Sequence, residues 1–190
     1  ALLFGDGGSA IALEYNPNYD QTMDFHFYSD GSGRDALIVP DGGCRNPFTI
    51  DSMRIETCEE GHRRNRLHEK MDGLEVFTFA TRNVPKSLNM LIDQFSINLS
   101  DVDYLLLHQA NRFLCEKIRK RMQFEREKVP YNIDKFGNTS GTSIPLLMVT
   151  NLTSDLKSKS LRHLATGFGV GLSIGSVCFS THHIICPELL

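Results

Sequence analysis

The short apolar run Tyr104-Leu105-Leu106-Leu107 constrains the fold most, because it stops abruptly at the polar sequence His108-Gln109-Ala110-Asn111. A run of this length without polar interruption suits a strand covered on both faces, as in sheets sandwiched between helices. A second extended run, residues 129–133, leads to a second polar turn, Asn138-Thr139-Ser140-Gly141-Thr142-Ser143. Strands joined through an intervening helix are parallel, and parallel neighbours bring their ends to one sheet edge, where α/β proteins place their chemistry. The spacing therefore predicts that His108 and Asn138 meet in one cleft.

The remaining periodicities fill in a layered α/β fold, a mixed five-stranded sheet covered by helices. Strands are expected at residues 9–15, 25–29, 161–166 and 172–180, each bounded by glycine or polar turns. Val76, Phe79, Ala80, Val84, Leu88, Leu91, Ile92 and Phe95 recur at helical spacing, with Pro85 expected to kink or divide that helix. Asn111 is placed to cap the next helix, whose stripe Leu114, Ile118 and Met122 faces the core. A further helix follows the Asn138 turn, with Pro145 in its early turns, and runs towards Leu156. Between residues 34 and 66 periodicity is lost, which reads as a long excursion or flap extending to about residue 70.

Composition narrows the function classes. An apolar fraction of 41% is ample for a core, and a formal charge of −3 does not favour nucleic acid or an anionic membrane as the main partner. The five cysteines are scattered, odd in number and without a C-x-x-C pair, which fits a reducing, cytoplasmic setting better than a disulfide framework. No stretch has the length of a membrane span, and the first residues do not show a charged region followed by an apolar one, as a secretory leader would. The chain starts at Ala1 with Leu2-Leu3-Phe4-Gly5-Asp6, which reads as the middle of a buried element and thus as a piece of a longer protein.

Three clusters carry chemistry. His108 can donate a hydrogen bond or act in acid/base catalysis near neutrality, and the Asn138 amide can donate to a developing oxyanion. Gly167-Phe168-Gly169-Val170-Gly171 offers backbone N–H groups for an oxyanion hole or anion nest, the alternative being a plain turn between adjacent strands. It matches neither nucleotide-binding glycine pattern. Cys178, His182, His183 and Cys186 fit no familiar zinc spacing, so no metal site is expected. The basic stretch 117–128 is either a solvated helix face or a receptor for an acidic partner or phosphate-bearing arm.

With these residues in place, the chain resembles the β-ketoacyl-acyl-carrier-protein synthase III family of thiolase-fold condensing enzymes. The resemblance rests on Phe4-Gly5-Asp6-Gly7, Ser29-Asp30-Gly31-Ser32, Met71-Asp72-Gly73-Leu74-Glu75-Val76-Phe77, His108-Gln109-Ala110-Asn111, Asn132-Ile133-Asp134, Gly137-Asn138-Thr139-Ser140 and Gly167-Phe168-Gly169-Val170-Gly171, in the family's order. It implies that residues 1–20 end a first thiolase-like half and residues 21–190 form the second. It implies that His108 and Asn138 are two members of a Cys-His-Asn triad whose cysteine belongs to the first half. None of Cys44, Cys58, Cys115, Cys178 and Cys186 stands in the matching context.

The family's reaction is a decarboxylative condensation of an acyl-CoA primer with malonyl-acyl carrier protein in fatty-acid or related biosynthesis, without metal or redox cofactor. The resemblance assigns the enolate to His108 and Asn138, and a second oxyanion to backbone N–H groups of the loop Phe168, Gly169, Val170 and Gly171. It assigns acyl-carrier-protein and pantetheine binding to Gln109, Ala110, Asn111, Arg112 and Phe113, and implies a homodimeric parent. The chain departs from the family at Val170, where a third consecutive glycine is common, at Ile174, in place of a frequent tryptophan, and at Arg112, one residue early. The alternative is a non-catalytic thiolase-like partner subunit that binds or shapes acyl chains.

Overall fold

A computed structural model of the chain describes residues 3–18, 22–58 and 61–189. In chain order its elements are β1 (Asp24–Ser29), β2 (Leu37–Ile38), β3 (Glu56–Thr57), β4 (Arg63–Arg64), β5 (Lys70–Met71), α1 (Gly73–Gln94), β6 (Tyr104–Leu107), α2 (Arg112–Arg121), α3 (Ile133–Phe136), α4 (Ser143–Asn151), α5 (Thr153–Ser158), β7 (Ser160–Gly169) and β8 (Ser173–His182). The chain divides into two compact units. One comprises Ala1–Tyr28, Ala80–Phe168 and Ile174–Leu190, and the other Ser29–Phe79 with Gly169–Ser173.

The main sheet has the order β1-β8-β7-β6, so the expected α/β class holds, with four strands rather than five among the described residues. β6 pairs with β7 in parallel, Tyr104 opposite His163 and Leu107 opposite Thr166. Across β7 and β8, His163 meets Thr181 and Thr166 meets Ser176, numbers running in opposite senses, so this pair is antiparallel and the sheet mixed. Leu105, Leu106 and Leu107 are fully buried, as a strand covered on both faces requires. On one side Leu106 and Ala165 pack with Leu147, Leu152 and Leu156 of the α4–α5 segment.

Two expected strands are absent. Residues 129–133 form no ladder: Pro130 has no N–H to donate, and the backbone N–H of Asn132 goes to the Gln109 side chain at 3.4 Å. Consequently the strand parallel to β6 is β7, and the Asn138 turn is anchored differently. Asn138 N–H donates to Leu3 O at 2.9 Å and its carbonyl accepts from Gly5 N–H at 3.0 Å, a parallel bridge centred on Phe4. A Cβ on Gly5 would stand 1.9 Å from Phe136 O, so only glycine lets the two backbones come this close. Residues 9–15 form no strand, with Ile11, Leu13 and Tyr15 all exposed; the apolar run has no sheet to join among the described residues.

Pro85 neither divides nor ends α1. The carbonyl its missing N–H would have met, Thr81 O, accepts instead from Arg121 Nη1 at 3.2 Å. The expected long helix after Asn138 is two, α4 and α5, broken at Leu152.

The second unit gives the excursion definite structure. β2 pairs with β5 and β3 with β4, both antiparallel. At their centre Arg66 clamps Asp41 with two bonds of 2.8 Å, and the buried Ser52 hydroxyl donates to the same carboxylate at 2.8 Å. The guanidinium holds the Asp41 carboxyl below its ordinary range.

Candidate functional site

β6 delivers His108 one residue past its last ladder position, with the His108 N–H still donating to Thr166 O at 2.9 Å. The ring packs edge-on against Phe168, with centroids 5.2 Å apart. Its Nδ1 lies 2.7 Å from Ser143 Oγ. Desolvation pushes the imidazole down to about 4, so it is neutral at physiological pH. Nε2 has no hydrogen-bond partner among the described residues.

The Asn138 side chain is buried, and its Oδ1 accepts from Ser140 N–H at 2.9 Å. That bond fixes the amide so that Nδ2 is the group left to donate, and Nδ2 has no partner among the described residues. The turn that begins at Asn138 ends at Ser143, which bonds the His108 ring, so the two polar turns expected to share a cleft are joined through Ser143. This serine was legible as part of a polar turn; its contact with His108 was not.

The segment after His108 is largely occupied with itself. Gln109 is fully buried, its Nε2 donating to Leu107 O at 2.8 Å while Oε1 accepts from Asn132. Asn111 caps α2 as expected, Oδ1 accepting from Leu114 N–H at 2.8 Å, so its Nδ2 is what remains for a ligand. Ala110 N–H closes the turn onto His108 O at 2.9 Å. Arg112 stacks over the Tyr131 ring at 4.0 Å, while Phe113 is exposed beneath Lys117, 5.3 Å above its ring.

The basic stretch is also partly committed. Glu116 takes Arg119 at 3.0 Å and Arg126 at 3.3 Å, and Lys128 donates to Val102 O. Cys115 lies close to His108, its thiol donating to His108 O at 3.4 Å. Burial pushes that thiol up to about 12, the reverse of what a nucleophile requires. Cys178 and Cys186 are buried as well, and among the described residues no three His, Cys, Asp or Glu side chains are grouped to hold a metal.

Phe168 belongs with His108, whereas Gly169, Val170 and Gly171 lie in the second compact unit. There Leu172 exchanges backbone hydrogen bonds with Asp30, N–H to O at 3.0 Å and O from N–H at 2.8 Å. The turn Ser29-Asp30-Gly31-Ser32-Gly33 thus pins the end of the glycine loop. Gly171 has φ +141°, and a Cβ there would meet Ser173 Oγ at 2.2 Å. Val170 is exposed.

Residues 92–181 match the family described as 3-oxoacyl-[acyl-carrier-protein (ACP)] synthase III C terminal. A β-ketoacyl-[acyl-carrier-protein] synthase III of Streptococcus mutans serotype c is 38% identical over 183 residues, 93% of this chain and 52% of the relative. The chain belongs to the β-ketoacyl-acyl-carrier-protein synthase III family. It corresponds to the C-terminal portion, spanning about half the length of the curated relatives it matches. A solved 3-oxoacyl-(acyl-carrier-protein) synthase III superposes with TM-score 0.78 at 31% identity, covering 87% of this chain and 49% of that one. A second, from Burkholderia xenovorans LB400, gives 0.75 at 34% identity over 87% and 46%. The thiolase-type α/β fold of the family is therefore the fold of this chain. No helix among the described residues is long and apolar enough to cross a membrane.

Proposed function

We propose that this chain is the second half of a β-ketoacyl-acyl-carrier-protein synthase III, and that His108 and Asn138 hold the enolate oxygen formed when malonyl-acyl carrier protein loses carbon dioxide. The carrying observation is the pair of vacant donors on fixed supports. His108 is a neutral ring with Nε2 unengaged, and Asn138 is an amide whose Oδ1 is occupied and whose Nδ2 is unengaged. In this reading the two N–H groups share one oxygen and stabilise charge that exists only after decarboxylation begins, which is how binding becomes rate.

In this reading the acyl group of an acyl-CoA primer is carried by a cysteine of the preceding half, and the carbanion attacks that thioester to give a 3-ketoacyl product. The loop at Val170 supplies a backbone donor to the second oxyanion. The carrier's pantetheine arm meets the segment after His108 through Asn111 Nδ2, Arg112 and Phe113, because Gln109 is consumed internally. No metal or redox cofactor is called for. The parent is a cytoplasmic homodimer, in which residues 1–20 close the first half and the excursion at 34–70 belongs to the second. The chain alone, without the first half, does not condense.

The test uses the full-length parent. His108→Ala and Asn138→Ala are expected to lose malonyl decarboxylation while the cysteine is still acylated by acyl-CoA. Undiminished decarboxylation in both variants sinks the assignment. If the preceding half carries alanine, glutamine or serine where the triad needs cysteine, the chain is instead part of a non-catalytic subunit that shapes acyl chains.

A further inference from the structure

We infer that Ser143 is a positioning residue that fixes His108 in the Nε2–H tautomer, so that the ring faces substrate as a proton donor. This rests on the donor role proposed above for His108. Ser143 is the first residue of α4, and its side chain is 2% exposed. Its hydroxyl lies 2.7 Å from His108 Nδ1 and has no other hydrogen-bond partner among the described residues.

A hydroxyl carries one proton that must go to an acceptor, and here the acceptor within reach is Nδ1. If Nδ1 were protonated it would donate to Oγ, and the serine proton would be stranded in a buried site. Leaving a buried donor unsatisfied is costly enough to favour the other arrangement by about tenfold or more. The hydroxyl therefore donates to Nδ1, and the ring's single proton sits on Nε2. Burial acts in the same sense, since it keeps the ring neutral and so preserves a bare Nδ1 for the serine to address. Phe168, edge-on to the ring, limits its rotation without offering a competing acceptor.

The chain as it stands allows a test independent of condensation. With histidine nitrogens labelled, two-bond nitrogen–proton spectra at neutral pH report which nitrogen is protonated, and His108→Gln identifies the His108 signals. The expected result is Nε2–H in the wild type, a roughly tenfold loss of that preference in Ser143→Ala, and recovery in Ser143→Thr, which keeps the hydroxyl. His163 serves as internal standard, its signals unmoved. A wild-type ring protonated on Nδ1, or a tautomer unaltered by Ser143→Ala, overturns the inference.

In the parent, Ser143→Ala should lower kcat for decarboxylation by about tenfold with KM little changed, less than the ~10²–10³-fold expected for removing an oxyanion donor itself. Ser143→Thr should recover most of it. Full activity in His108→Ala, which removes the N–H donor altogether, defeats the donor role of the ring. An inactive His108→Ala beside a fully active Ser143→Ala defeats only the role of Ser143.

Discussion

Two histidines flank the pairing of β6 with β7, and they make an instructive contrast. His163 stands opposite Tyr104, where the pairing begins; His108 stands just beyond Leu107, where it ends. Burial pushes both rings down to about 4. His163 is fully enclosed between Tyr104 and Phe179, with Nε2 bonded to Thr181 at 2.9 Å and Nδ1 without a partner. His108 has its inner nitrogen engaged by Ser143 and its outer one vacant. A depressed pKa is therefore not what marks the candidate site, because a packing histidine shows the same depression. What separates them is position on the strand: mid-sheet, a side chain can only pack, while past the strand end it can meet a ligand.

The largest effect that would break this contrast is catalytic. In the parent, His108→Ala should lower decarboxylation by about 10²–10³-fold, while His163→Asn should leave kcat within about twofold in whatever fraction folds. Comparable losses in both, measured as release of carbon dioxide per folded enzyme, would mean that strand position does not divide the roles.

Stability should run the other way. His163→Ala removes a fully buried ring from between two aromatics and orphans Thr181, and is expected to cost about 3 kcal/mol; His108→Ala should cost less than half of that. Urea unfolding of the chain at neutral pH measures both.

Acid sharpens the contrast further. Both rings have folded pKa values below the ordinary 6.5, so between 6.5 and about 4 the unfolded chain binds protons that the folded chain refuses. Stability is thus fully present above 6.5 and falls as pH drops towards 4, by up to about 3 kcal/mol for His163 and less for the partly exposed His108. Midpoints of urea unfolding at a series of pH values should decline over that window, and His163→Asn should remove the larger share of the slope. A flat profile would deny that either ring is held neutral by burial.

The smallest expected effect concerns what stacks on His163. Tyr104 donates to Asp155 at 2.7 Å, and Tyr104→Phe should cost about 1 kcal/mol without altering the His108 spectra. A change at His108 would show that the two ends of the pairing are coupled.

These comparisons also show what could be read from the chain. β6, the polar turn after it and the Asn111 cap were legible because each is local: an apolar run, a breaker and a capping side chain. Residues 129–133 misled because an extended, apolar stretch resembles a strand until one asks where its amides go, and Pro130 and Gln109 answer that question only in three dimensions. The excursion at 34–66 lacks periodicity because Asp41, Ser52 and Arg66 organise it through polar contacts between distant residues, which leave no repeat. His108 and Asn138 were singled out by residue type and by the resemblance. Their link through Ser143 was hidden, since a serine in a polar turn looks like any other. His163 gave no signal, being one polar residue inside a strand.

The bridge between Leu3–Gly5 and Asn138 has a mechanical meaning. Both backbone hydrogen-bonding groups of Asn138 are spent on that segment, in a bridge that stands apart from the named strands. A pull on the chain at Leu3 is therefore a pull on the candidate donor itself. Parting that one bridge would loosen the backbone that carries the Asn138 amide while leaving the β6–β7 pairing in place.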